Sequence, residues 1–222
     1  MNINNSNGYL AISQQTLKRL PGYYHYLKGL RHNSIEHISA PVIARALKLN
    51  EVQVRKDLAA VSVSGGRPKT GFQVADLIQS IEVYLGYNNL NEAILVGVGQ
   101  LGKALLSYQG FETYGMRILA GFDRRPELVN KKINGKRIFG IDKLGPICQR
   151  LNARIGIITV PHDSAQEVCN QMVVNGILAI WNFAPVHLQV DEKIVVQNEN
   201  MAVSLAVLSK RLAEKMKACA PA

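Results

Sequence analysis

The ten residues Ala93–Gly102 read AILVGVGQLG. The apolar start, Ala93–Val96, suits a strand buried on both faces of a sheet. Gly97, Gly99 and Gly102 follow at the spacing G-x-G-x-x-G, and Lys103–Tyr108 (KALLSY) then reads as a helix. Strand, glycine-rich turn and helix N-terminus together make a phosphate cradle. Gly97 permits the tight turn, Gly99 lets backbone approach a pyrophosphate, and Gly102 lets helix pack closely on strand. The N–H groups of a helix start favour an anion, so the whole turn (Gly97, Val98, Gly99, Gln100, Leu101 and Gly102) is expected to contact a dinucleotide. A second strand, Ile118–Phe122 (ILAGF), ends at Asp123, 21 residues after Gly102. That matches the spacing of about 20 residues to the carboxylate that holds ribose hydroxyls. A βαβ unit whose glycines only turn the chain would explain the glycines, but not strands and acid together.

At 222 residues the chain suits one large or two modest domains, and a hydrophobic share of 47% allows a sizeable core. No apolar run is long enough to cross a bilayer. Met1–Gly8 (MNINNSNG) has neither the basic start nor the apolar middle of a signal peptide, so a cytoplasmic protein is expected. Cys148, Cys169 and Cys219 are far apart and form no metal-type pair; they read as free thiols, and no metal site is expected. The formal charge is +10, from 26 Lys and Arg against 16 Asp and Glu, which suits a polyanionic partner. Between Arg45 and Lys69 lie six positive residues (Arg45, Lys48, Arg55, Lys56, Arg67 and Lys69) against Glu51 and Asp57 alone.

This basic region sits in a helical segment. Gln14–Leu30 carries Leu17, Leu20, Tyr24 and Leu27 on one helical face, and Pro21 is expected to interrupt it and start a new helix. Ser39 is placed to cap Ala40–Leu47. Asn50 is placed to cap Glu51–Ala60, with Gln53 completing a capping box. Val54, Leu58 and Val61 share one side of that second helix, and Gln53, Arg55, Lys56 and Asp57 spread over the other. Two short helices joined by a tight turn, the second one basic, describe a helix-turn-helix. Val61–Phe72 (VSVSGGRPKTGF) then reads as a β-hairpin, a wing whose tip carries Arg67 and Lys69 toward a phosphate backbone. A small helical bundle with a solvated charged face is the alternative. Val74–Leu85 reads as a helix, and Gly86–Asn91 as a domain boundary.

Beyond Asp123, strand and helix alternate. Strands are expected at Ile138–Gly140, near Asp142–Leu144, at Arg154–Val160, Ile177–Trp181 and Ile194–Val196, with helices at Ile147–Leu151 and Ser164–Asn175. Such alternation predicts an α/β fold, a doubly wound parallel sheet with helices on both faces. Ligands of such sheets lie beyond the carboxyl ends of the strands, which makes Val160, Pro161 and Asn182–Pro185 (with Phe183 and Ala184) candidate walls for a nicotinamide. Asn200–Lys217 closes the chain as a helix with an apolar stripe of Val203, Leu205, Leu208, Leu212 and Met216.

From Ile12 to Leu212 the chain resembles the redox-sensing transcriptional repressors of the Rex family. The matching pieces are RLPGYYHYL (Arg19–Leu27), QVRKDL (Gln53–Leu58), VGVGQLGKALLSYQGF (Val96–Phe111), Phe122-Asp123, GIITVP (Gly156–Pro161), Ala165-Gln166 and GILAIWNFAPVHLQV (Gly176–Val190). The resemblance implies an N-terminal winged helix-turn-helix over residues 1–88, a Rossmann-type domain over 89–199 and a C-terminal dimerisation helix over 200–222. It implies a homodimer that exchanges those helices, binds palindromic double-stranded operators, and is released from DNA by NADH. Carried over, Ser39, Gln53, Arg55, Lys56, Arg67 and Lys69 meet DNA. The glycine turn, Asp123 and Arg124 hold NAD(H), and Tyr108 matches a tyrosine near the nicotinamide. The chain departs from the family in a wing (Gly65–Phe72) one residue longer, and in Asn200-Met201 where an aspartate starts the last helix. Arg124 and Arg125 would attract a 2′-phosphate, but Asp123 would repel one, so NAD(H) is expected rather than the phosphorylated form.

Two other classes fit parts of the pattern. A nicotinamide-dependent oxidoreductase needs a proton donor near the hydride site, and His162 and His187 are the best placed. Neither has an evident Lys or carboxylate partner, the pair Tyr24 and Lys28 lies in the wrong domain, and no catalytic residue is expected. A CoA-binding module uses a similar glycine turn, but the acid at Asp123 suits the ribose of a dinucleotide.

Overall fold

A computed structural model describes residues 12–62, 65–67, 70–89 and 91–218. The Met1–Gly8 tail, Lys69 of the wing tip and Cys219 lie outside the described residues. The chain divides into two units, Met1–Asn89 and Leu90–Ala222.

The first unit packs four helices: α1 (Gln14–His32), α2 (Ala40–Leu47), α3 (Glu51–Val61) and α4 (Val74–Leu85). Pro21 does not end α1, which runs through it from a Ser13 cap whose hydroxyl accepts the Thr16 N–H at 3.1 Å. Proline in a helix interior costs about 3 kcal/mol. Here Leu20, Tyr23 and Leu27 are fully buried on the core side of α1, and that packing outweighs the cost. Lys48, in a left-handed conformation, makes the turn from α2 into α3. Asn50 caps α3 through the Gln53 N–H at 3.1 Å. No capping box forms with it, because the Gln53 amide is drawn to Asp57 at 2.8 Å.

Of the expected hairpin over Val61–Phe72, residues 63–64 and 68–69 lie outside the described residues. Val61 closes α3, fully buried in step with Val54 and Leu58. Near the tip, an antiparallel bridge joins Arg67 to Gly71. The strand β2 (Phe72–Gln73) pairs instead with β1 (His37–Ile38), a strand too short to show a period in the sequence.

The second unit is a seven-stranded sheet in the order β5-β6-β4-β3-β7-β8-β9. Its strands are β3 (Asn91–Val96), β4 (Met116–Asp123), β5 (Lys132–Ile133), β6 (Lys136–Gly140), β7 (Ile155–Ile158), β8 (Ala179–Asn182) and β9 (Val195–Asn198). All pairs are parallel except β5 with β6. Alternate residues of β3 serve opposite faces. Ala93 and Leu95 pack with Leu106 of α5 (Gln100–Ser107), and Ile94 and Val96 pack against α6 (Leu144–Leu151) and α7 (His162–Val174). This is a Rossmann-type doubly wound sheet. From β3 the chain goes first to β4 and β6 on one side, then to β7 and β8 on the other, so the order reverses at β3 and β7. That reversal opens a crevice at the carboxyl ends of the strands.

Asp142–Leu144 is not a strand. Ile141–Lys143 forms a 3₁₀ turn that leads directly into α6. A second such turn, Gly110–Tyr114, joins α5 to β4. The last helix, α8 (Met201–Ala218), starts at Asn200, whose side chain accepts the Val203 N–H at 3.1 Å. Asparagine therefore caps this helix as an aspartate would. Residues 201–217 are all exposed.

Candidate dinucleotide site and nucleic-acid interface

The glycine turn has the geometry of a cradle. Gly97 adopts φ +99°, and a Cβ there would stand 2.7 Å from the Thr159 carbonyl oxygen. A Cβ at Gly102 would stand 2.0 Å from the Gly97 carbonyl oxygen, so α5 approaches the turn as only glycine allows. At Gly99 a Cβ would meet nothing within 4 Å. The open side of the turn faces a groove of about 540 Å³, within the range of small-molecule sites. The turn is bolted to β7 by Thr159, whose hydroxyl donates to the Gly97 carbonyl at 2.6 Å and whose N–H donates to Val96 at 2.9 Å. These features fit a dinucleotide pyrophosphate.

Asp123, at the end of β4, is buried. Its Oδ2 accepts the Val98 N–H at 2.7 Å, and its Oδ1 the Arg125 N–H at 2.9 Å. The Arg125 guanidinium closes on both oxygens, each at 2.9 Å, and reaches the Val98 carbonyl at 2.9 Å. Burial pushes the Asp123 carboxyl up, but the Arg125 side chain and the two backbone donors outweigh it and hold the group below the usual carboxylate range.

Of the expected cofactor residues, Gly97, Gly99, Asp123, Arg124, Val160 and Pro161 line the groove together. Val98 is buried in the core beneath the turn, while Gln100 and Leu101 open α5 and Gly102 is a buried residue of its first turn. Tyr108 ends α5 and packs edge-on against Phe111, bordering a separate hollow. Phe183 packs on Trp181, and Ala184 is buried; neither they nor Pro185 line the groove. The loop they form is held by buried Asn182, whose amide donates to the carbonyls of Ala184 and Val186 and to Asn198. Thr159, Ser164, Glu167 and Gln171 line the groove without having been expected there. Their spacing of three and four residues along one face of α7 is the signal that would have found the last three. His162 is exposed and pairs with Asp163 at 2.6 Å, a partner the sequence had not made evident. Burial pushes the Cys148 thiol up to about 11, so it stays protonated at neutral pH.

In the first unit, Gln53, Arg55 and Lys56 are exposed on α3, and Arg67 is exposed on the wing. Arg55 pairs with Glu51 one turn earlier. Ser39 precedes α2 with no hydrogen bond from its hydroxyl to the helix. Pro41, without an N–H, removes one of the two donors such a cap would take. Beneath this surface Asp57 is buried, receiving Arg19 at 2.7 and 3.0 Å, Tyr23 at 2.8 Å and Gln53 at 2.8 Å. Asp57, expected on the outer face of α3, instead ties α3 to α1. Tyr24 and Lys28 both reach Glu82, which ties α1 to α4.

A family model described as "Putative DNA-binding protein N-terminus" matches residues 11–59, and one described as "CoA binding domain" matches residues 88–186. The redox-sensing transcriptional repressor Rex of Porphyromonas gingivalis is 40% identical over 201 residues, 90% of this chain and 92% of that one. That of Treponema denticola is 40% identical over 193 residues, 87% of this chain and 91% of its own. This chain belongs to the Rex family. Among solved structures, the Rex-family repressor RSP in complex with NAD+ and operator DNA superposes with a TM-score of 0.85 at 31% identity, covering 93% of this chain and 95% of RSP. RSP with NADH gives 0.83 at 31% identity, covering 93% and 97%. Rex architecture thus accounts for both units.

Proposed function

We propose that this chain binds operator DNA through its first unit and NAD(H) through its second, and that NADH releases it from DNA. The observation that carries this reading is the groove at the strand ends, which the glycine turn borders with Gly99 open toward it. RSP, similar over both units, is bound to NAD+ and operator DNA in one structure and to NADH in another.

The backbone N–H groups at the start of α5 bind the pyrophosphate, as helix starts do for anions. Val160 and Pro161 offer an apolar wall where the neutral reduced ring is favoured and the charged oxidised ring loses hydration. When bound, the dinucleotide supplies a redox-dependent charge; no residue of the groove is assigned a catalytic part. On α3, Arg55 and Lys56 reach the major groove, with Gln53 beside them. Ser39 and the wing residues Arg67 and Lys69 meet phosphates. The bared apolar face of α8 packs on a second copy, giving the two-fold dimer that palindromic operators require. Residues 1–88, 89–199 and 200–222 then serve DNA binding, sensing and dimerisation, in the cytoplasm.

Selection of bound sequences from random duplex DNA tests the reading. A palindromic site should be enriched, and enrichment should vanish when NADH is added. Enrichment that is the same with NADH, or none at all from the folded protein, would contradict it.

A further inference from the structure

The turn after β4 reads Asp123-Arg124-Arg125, and its geometry changes what the acid at the ribose end can do. A carboxylate offers about four acceptor positions. At Asp123 four donors fill them: the Val98 N–H, the Arg125 N–H, and the Nε and Nη2 of Arg125. Asp123 is buried, and its charge is matched by the guanidinium laid across it. It therefore has no acceptor left for a pair of ribose hydroxyls, and little net charge with which to repel an anion.

Arg125 is pinned in this pose by its further bond to the Val98 carbonyl, yet its side chain is 44% exposed. Both Arg125 and the exposed Arg124 line the groove. Arg124 has no ion pair among the described residues, and it shares an adjoining hollow with Lys143 and Asp142. Glu127 acts on Arg125 only as a weaker, longer-range attraction. Two arginines, one of them uncommitted, thus border the groove beside Asp123, and guanidinium groups suit a phosphate monoester.

We infer that the groove also takes a dinucleotide carrying a 2′-phosphate, NADPH, with that phosphate held by Arg124 and Arg125. This deepens the dinucleotide reading above and rests on it. The two arginines would then set cofactor choice, with Asp123 serving to position Arg125 rather than to read the ribose.

The test is calorimetric titration of the full chain with NADH, NADPH and CoA, which carries its own ribose phosphate at a different hydroxyl. The NADPH dissociation constant should lie within about tenfold of that for NADH. Arg125→Ser leaves a buried carboxylate unpaired and risks the turn, so the exposed Arg124→Ala is the second variant. In each, the preference for NADPH over NADH should fall by about tenfold. NADPH binding about a hundredfold weaker than NADH in the parent protein would overturn the inference and leave the dinucleotide reading standing. Binding of CoA alone, or of none of the three by folded protein, would overturn both. A ratio unchanged in both variants would overturn the inference even with NADPH bound.

Discussion

Two buried aspartates, Asp57 and Asp123, show how much a single side chain decides in this molecule. Both looked like surface or ligand-facing acids in the sequence, because position and type alone do not reveal which arginine lies opposite. Arg19 is 38 residues from Asp57, a separation at which no local pattern operates. Burial raises the Asp57 carboxyl, but hydrogen bonds from Arg19, Tyr23 and Gln53 overcome it and lower the group below its ordinary range. A carboxylate with a lowered folded pKa adds stability that is fully present above its unfolded value, near 4, and is lost as pH falls through the folded value. The first unit should therefore lose stability on acidification below about pH 4, and Asp57→Asn should flatten that dependence. The same variant should destabilise the unit by about 3 kcal/mol at neutral pH, the low end for a broken buried pair, because Arg19 is partly exposed and can rehydrate. Thermal melts from pH 7 down to 3 check both; a parent-like stability for Asp57→Asn would show that the clamp contributes nothing.

Among elements, those with a strong period were readable and those fixed by partners were not. The β3 strand and its glycine turn, the apolar run of β7 and the amphipathic α4 all have spacings that a single face explains. So the doubly wound sheet, the turn and Asp123 as its neighbour followed from residues alone. The strands β1 and β5 have only two residues each, too few for any alternation to register, and exist because a partner strand offers its edge. The continuous α1 depended on burial that overrides Pro21. Val61 satisfies both a strand preference and the helical spacing of α3, and buried packing gives it to the helix rather than to the wing. The candidate walls at Phe183–Pro185 were read from the rule for strand ends, which fixes the end of the sheet but not which loop turns inward. The last helix was readable as amphipathic, and its apolar residues are exposed, Leu205 at 65% and Leu208 at 63%. Such a face is characteristic of an interaction surface. Removing residues 201–222 should convert the proposed dimer to monomers in sedimentation and weaken operator binding at least tenfold, since one half-site then binds alone. A truncated protein that still sediments as a dimer would remove α8 from that role.

For the whole molecule, α3, the proposed recognition helix, ends at Val61 and the glycine turn starts at Gly97, in different units. On the proposed reading Lys56 and the groove serve different ligands, and any effect of NADH on DNA is a coupling between the two binding events. A ligand shifts such an equilibrium only by its differential affinity for the two arrangements, so NADH must bind the DNA-incompetent one better. Thermodynamic linkage makes the coupling reciprocal: operator DNA must weaken NADH binding by the same factor by which NADH weakens operator binding. Couplings of this kind are typically about 5- to 150-fold, well within reach of a titration. The measurement that tests the account most directly is the NADH dissociation constant with and without saturating operator duplex, beside the operator dissociation constant with and without saturating NADH. The account predicts two weakenings of equal factor, and NADH affinity unchanged by bound operator would contradict it.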